Sequence, residues 1–146
     1  MRRNARVPAR RIRGFTFIEI VVAIAIIAIL ATVVVPRVIG RVGEARVARA
    51  KSDVQALRTA LDTYKLDNFN YPSTDQGLQA LINKPGGQPE AANWKQTLDA
   101  LPKDPWGRDY QYLSPGQHGE IDVYSLGKDG QPGGEGEDAD IGNWTG

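Results

Sequence analysis

Five carboxylates crowd into the C-terminal stretch "SLGKDGQPGGEGEDADIGNW": Asp129, Glu135, Glu137, Asp138 and Asp140, spaced by glycines. Carboxylates supply hard oxygen ligands, and glycines allow the left-handed turns that expose backbone carbonyls. Calcium takes 6–8 such oxygens and tolerates irregular geometry. The D-x-[DN]-x-[DN]-G order of a helix–loop–helix calcium site is missing, so the residues leave two readings open, a calcium loop or a solvated acidic loop. A second chemical signal is Glu19, which lies within the otherwise apolar run "RGFTFIEIVVAIAIIAILATVVVP". A carboxylate at that depth is costly unless it has a partner.

Catalytic chemistry has little to stand on. The single histidine, His118, sits in a Gly-rich turn with no serine or carboxylate grouping that suggests catalysis, and reads as a solvated loop residue. There is no P-loop, zinc-ligand spacing or nucleophile motif, and the chain is not expected to be an enzyme. It has no cysteine, so neither disulfide nor thiol chemistry is available.

The elements that must position these groups follow from patterning. The 146 residues have room for one modest domain. The net charge of +1 hides an asymmetry: six of the 18 basic residues (Arg2, Arg3, Arg6, Arg10, Arg11, Arg13) precede Gly14, leaving 12 against 17 acidic ones. A basic tip ahead of an apolar run orients a membrane segment with its N-terminus in the cytoplasm. With the rest of the chain net acidic, no nucleic-acid partner is expected.

From Phe15 to Val35 the chain is apolar except for Thr16, Glu19 and Thr32, long enough for a bilayer span of roughly 20 residues. A secretory signal peptide has a shorter apolar core followed by a small-residue cleavage site, and the one Ala-x-Ala triplet, Ala23–Ala25, falls mid-run. Cleavage between Gly14 and Phe15 instead leaves the apolar helix on the mature chain. It also creates an α-amine four residues before Glu19, on the same helix face.

Pro36 is expected to kink or locally melt the helix, and Gly40 and Gly43 to weaken the turns after it. Helical character resumes with Val47, Ala50, Val54, Leu57, Leu61 and Tyr64, a narrow apolar stripe that packs on the protein's own sheet. Arg49 with Asp53 and Arg58 with Asp62 form i,i+4 pairs beside it. A helix from Phe15 to about Asn68 would be roughly 80 Å long. Beyond it come a short helix near Asp75–Asn83 and two strands, near Tyr110–Leu113 and Ile121–Ser125. Trp94, Trp106 and Trp144 are read as anchors of a small core.

Gly14-Phe15-Thr16-Phe17-Ile18-Glu19 resembles the N-terminal signal of the type IV pilin-like family, usually G-F-T-L-I/L-E, with Phe17 where leucine is commoner. Tyr124-Ser125-Leu126-Gly127, Asp129-Gly130 and Asp140-Ile141-Gly142-Asn143-Trp144 resemble the calcium loop of the major pseudopilins of type II secretion. The resemblance implies an α+β, pilin-like fold, a long N-terminal helix on a small antiparallel sheet, with a calcium-binding C-terminal loop. It implies a leader, 1–14, removed by a prepilin peptidase with methylation of Phe15; a transmembrane and filament-core helix, 15–35; its amphipathic continuation, 36–68; and a periplasmic domain, 69–146, whose loop is 126–144.

Glu19 would admit the subunit to a homopolymeric filament that drives export of folded proteins across the outer membrane. Calcium (Ca2+) would be held by carboxylates of Asp129 and Asp140 and carbonyls of Leu126 and Gln131. Asp138 competes with Asp140, because family members carry two adjacent aspartates before the isoleucine and this chain has Ala139. Implied partners are the chain itself, the prepilin peptidase, minor pseudopilins, the inner-membrane assembly platform and membrane lipid, with the subunit held single-pass in a bacterial inner membrane. The alternatives are a type IV pilus major subunit, or a membrane-anchored periplasmic module that binds in a calcium-dependent way.

Overall fold

A computed structural model describes residues 14–145, apart from the side chains of 33–39. The basic leader before Gly14 lies outside the described residues. Helix α1, Phe17–Asn68, is followed by a 3-10 turn at Leu78–Leu81 and by strands β1 (Gln111–Leu113), β2 (Asp122–Ser125) and β3 (Ile141–Gly142), with a second 3-10 turn at Gly136–Asp138.

The N-terminal unit, as far as Ile39, contains the apolar part of α1. Its described large apolar side chains, from Phe15 to Leu30, are exposed, from Val21 at 43% to Phe15 at 85%. The helical backbone continues through Pro36, so the local melting expected there is not found. A proline withholds one N–H, and the helix tolerates the loss of that single bond. Among the described residues, no helix is long and apolar enough to cross a membrane. The apolar run described with its side chains ends at Thr32, short of the roughly 20 residues a span needs, and its last part falls at 33–35.

The second unit, Gly40–Gly146, has a core of its own. Ala50, Val54, Leu57, Leu61 and Tyr64 form the buried stripe of α1, as their spacing predicts. Leu78, Leu81, Tyr110, Tyr112, Ile121 and Val123 complete the core. The expected ion pairs form, Arg49–Asp53 at 3.6 Å and Arg58–Asp62 at 3.1 Å. The strands make an antiparallel sheet of order β1-β2-β3, with Tyr112 opposite Val123 and Ser125 opposite Ile141. The helix expected near Asp75–Asn83 is reduced to one 3-10 turn. The polar Ser73–Gln76 segment before it instead forms a turn held by reciprocal bonds between Ser73 and Gln76.

Two packing details matter for the acidic loop. Gly43 of α1 is buried because Glu137 lies where a side chain would project; a methyl group there would stand 2.6 Å from the Glu137 carboxyl carbon. Gly127, at φ 66°, passes the far arm of the loop so closely that a methyl group would meet the carbonyls of Glu137 and Ala139 at 2.8 Å.

Candidate functional site

The N-terminal signal begins outside the helix. Gly14, Phe15 and Thr16 are non-helical and exposed, so the Gly14–Phe15 bond is accessible. The Thr16 amide donates to Glu19 Oε2 at 2.9 Å, the Thr16 hydroxyl donates to the same oxygen at 3.0 Å, and the Glu19 amide donates to Thr16 Oγ1 at 3.3 Å. This is a capping box, in which two amides otherwise unsatisfied at the helix start are paired reciprocally. In the uncut chain Glu19 thus has a partner two residues from Gly14. The Thr-x-x-Glu spacing before an apolar run was the signal that could have found it.

The acidic loop leaves β2 and returns as β3, and its arms are cross-tied. The Lys128 amide donates to the Glu137 carbonyl at 2.8 Å, while Lys128 Nζ lies 3.3 Å from Glu137 Oε2. Asp140 latches the tip: its amide donates to the Gly133 carbonyl at 3.0 Å, and Gly133 returns a bond to Asp140 Oδ2 at 2.9 Å. Asp129 Oδ1 accepts from the Gln131 amide at 2.9 Å. Asp138 is exposed and begins no such latch, although its amide donates to the Glu135 carbonyl.

The remaining oxygen of Asp140 decides whether a cation fits. Asp140 Oδ1 is buried without a hydrogen-bond partner among the described residues. A buried carboxylate oxygen without a donor or cation is costly, and an ion beside it removes that cost. Leu126 is half-buried, and Asp129 and Gln131 are exposed on the near arm. Among the described residues, no three His, Cys, Asp or Glu side chains converge for a metal. An ion placed here would have few carboxylates and would need backbone carbonyls, a donor set of hard oxygens that suits calcium and not a soft metal. Of the two competing aspartates, Asp140 has the open, buried oxygen and Asp138 does not.

A polar node missed by sequence reasoning supports the near arm. Asp104, 4% exposed, accepts from the amides of Trp106 and Arg108 through Oδ1 and from the Ser125 hydroxyl through Oδ2 at 2.7 Å. Ser125 Oγ accepts from the Gly127 amide at 3.2 Å. Arg108 donates to the carbonyls of Gly127 and Lys128, at 2.7 and 2.8 Å. Nothing in the spacing of "KDPWGRDY" marks these residues out from an ordinary turn.

His118 is exposed in its loop, as its context suggested, but it is held there. Its amide and Nδ1 both bond buried Asp122, and its ring stacks on Trp144 at 3.8 Å between centroids. Trp94 packs against the core and donates Nε1–H to the Ala80 carbonyl at 2.7 Å, as an anchor should. Trp106 has a buried Nε1 without a partner among the described residues.

Residues 37–144 match the family model described as type II secretion system (T2SS), protein G, and residues 9–35 match the prokaryotic N-terminal methylation motif. The type II secretion system core protein G of Pseudomonas aeruginosa is 56% identical over 137 residues, covering 92% of this chain and 96% of that relative. Its counterpart in Vibrio cholerae is 55% identical over 138 residues, covering 93% and 94%. Among solved structures, the major pseudopilin from the type 2 secretion system of enterohaemorrhagic Escherichia coli is 50% identical, with a TM-score of 0.66, covering 77% of this chain and 98% of that one.

Proposed function

The chain belongs to the type II secretion system protein G family, the major pseudopilins, and from that premise we propose how its parts serve a secretion filament. It is a structural subunit of the type II secretion pseudopilus, and the chemistry of processing and force generation belongs to its partners. The prepilin peptidase cuts between Gly14 and Phe15 and methylates the new amine. The subunit waits in the inner membrane with its C-terminal domain in the periplasm, then leaves the lipid to join a homopolymeric filament with minor pseudopilins at the assembly platform.

The observation that carries this reading is the bare apolar surface of the first turns of α1 and the residue leading into it, where Phe15, Phe17, Ile18, Ile24 and Ile27 are all more than 60% exposed. Such a surface is stable only in lipid or against other apolar surface. A filament core built from copies of the same helix provides the second environment once the first is left. Glu19 then exchanges its Thr16 partner for an α-amine, its own or a neighbour's.

Calcium is the ion we propose for the C-terminal loop, with Asp129 and Asp140 as carboxylate ligands and Leu126 and Gln131 as carbonyl ligands. Bound there, it joins the loop's two arms as a disulfide does in other small domains. The chain's own residues do the positioning, Asp140 through its latch on Gly133 and Asp129 through its turn at Gln131.

Intact mass of the membrane-extracted protein, with and without a co-expressed prepilin peptidase, tests the first part. A species beginning at Phe15 with one added methyl group, seen only with the peptidase, is expected; an uncut chain in both cases rejects it. Calorimetric titration with calcium chloride tests the second. Saturable binding that is lost in Asp140→Asn is expected, and equal binding by that variant removes Asp140 from the ligand set.

A further inference from the structure

We infer that Arg108 is a built-in cation of the acidic loop, fixing its near arm without metal and reserving the oxygens that remain for the ion; this rests on the calcium reading of that loop. The guanidinium spans two successive carbonyls, Nη1 to Gly127 at 2.7 Å and Nη2 to Lys128 at 2.8 Å. The chain wraps it further: at Gly130, φ 69°, a Cβ would stand 2.8 Å from Cζ and Nε of Arg108. A planar fork of this kind offers two donors in a fixed, pre-set geometry, which the rotatable ammonium of a lysine does not.

Arg108 is itself fixed. Its amide donates to Asp104 Oδ1 at 2.8 Å, and its carbonyl accepts from the Asp104 amide at 2.8 Å. Asp104 Oδ2 reaches Ser125, whose Oγ accepts from Gly127. The bonds thus close a ring from Asp104 through Ser125 and Gly127 to Arg108 and back, tying the turn before β1 to the end of β2.

Two consequences follow for the metal. The Gly127 and Lys128 carbonyls already face a positive charge, so a divalent ion sharing them would stand against the guanidinium. Its ligands are thereby confined to oxygens on either side, at Leu126, Asp129, Gln131 and Asp140. The near arm is ordered before the ion arrives, and only the far arm, latched by Asp140 on Gly133, depends on it. Arg108 is in this sense a positioning residue.

Amide hydrogen exchange on the full chain in detergent, in calcium chloride and in EGTA, tests this for the wild type, Arg108→Met and Arg108→Lys. In the wild type the Gly127 amide should stay protected in EGTA while the Gly133 and Asp140 amides speed up by roughly tenfold or more. In Arg108→Met the Gly127 amide should become as calcium-dependent as Gly133. Arg108→Lys keeps the charge without the fork and should behave like Arg108→Met. Protection at Tyr112 and Val123 reports that each variant is folded; if Arg108→Met is not, Arg108→Lys carries the comparison. The clamp is overturned if Gly127 loses protection in wild-type EGTA samples, or keeps it in the folded variants. If EGTA changes nothing at Gly133 and Asp140, the calcium reading falls, and the difference at Gly127 between wild type and variant still decides the clamp.

Discussion

Thr16 and Glu19 satisfy one another across the first turn of α1, the carboxylate taking the Thr16 amide at 2.9 Å and the hydroxyl taking the Glu19 amide at 3.3 Å. The helix therefore starts just beyond Phe15 and leaves the Gly14–Phe15 bond in open chain. In the uncut protein Glu19 is a helix cap. The pairing with an amine proposed for it would belong to the cut one.

Glu19→Gln separates these roles. The amide oxygen can still accept from Thr16, so cleavage after Gly14 should proceed as in the wild type, by intact mass. The charge that would meet the amine is gone, and filaments should not sediment. Glu19→Ala should also lose the cap, worth about 1 kcal/mol to the helix start. Wild-type sedimentation by Glu19→Gln would show that charge is not what admits the subunit.

Two core tyrosines should respond oppositely to loss of their hydroxyls. Tyr64 is 2% exposed and its OH has no partner among the described residues, whereas Tyr112 donates to the Pro72 carbonyl at 2.8 Å. Tyr64→Phe should raise unfolding stability by about 1 kcal/mol, and Tyr112→Phe, which strands a buried carbonyl, should lower it by about 1–3 kcal/mol. Urea unfolding of the detergent-solubilised chain measures both.

The same residues set an alkaline limit. Burial raises the pKa of Tyr64 and Tyr112, and burial together with the bond to Asp53 raises that of Tyr110. The folded protein keeps these protons to higher pH than the unfolded chain, so their contribution is complete below the ordinary phenol value of about 10. It is lost as pH rises through the folded values. Tyrosinate absorbance from these three should appear together with loss of circular dichroism above about pH 10. Ionisation that precedes unfolding would contradict their burial.

At the end of α1, Phe69 adopts φ 66° and is 78% exposed. Its amide still bonds the Lys65 carbonyl at 2.7 Å, the geometry of a left-handed helix stop that glycine favours. Phe69→Gly should stabilise the chain by about 1 kcal/mol. A loss of stability would mean that the exposed ring is held by contacts that outweigh its backbone strain.

Long-period features were legible in sequence. The stripe from Ala50 to Tyr64 came through because it repeats one physical demand several times; β1 and β2 lie where two strands were expected, although β2 is buried on both faces and does not alternate. β3 did not, because Ile141–Gly142 is two residues long and too short to alternate. Pro36 was read as stronger than it is, since one missing bond does not melt a helix. At the site, Asp129 and Asp140 were legible as oxygen donors, but the preference for Asp140 over Asp138 came only from the buried Oδ1. Arg108 and Asp104 were invisible because their importance lies in what a turn brings near them, not in neighbouring residues.

The close seat of Glu137 on Gly43 joins two segments almost a hundred positions apart in the chain. Neither can be exchanged alone for a version that differs at these two positions. A transplanted loop with a different residue at 137 leaves a gap over a bare stretch of helix, and a transplanted helix with a side chain at 43 pushes the loop off its base. For anyone recombining pseudopilins, these two stretches form a single heritable unit, and chimeras that divide it should assemble poorly whichever parent supplies the rest.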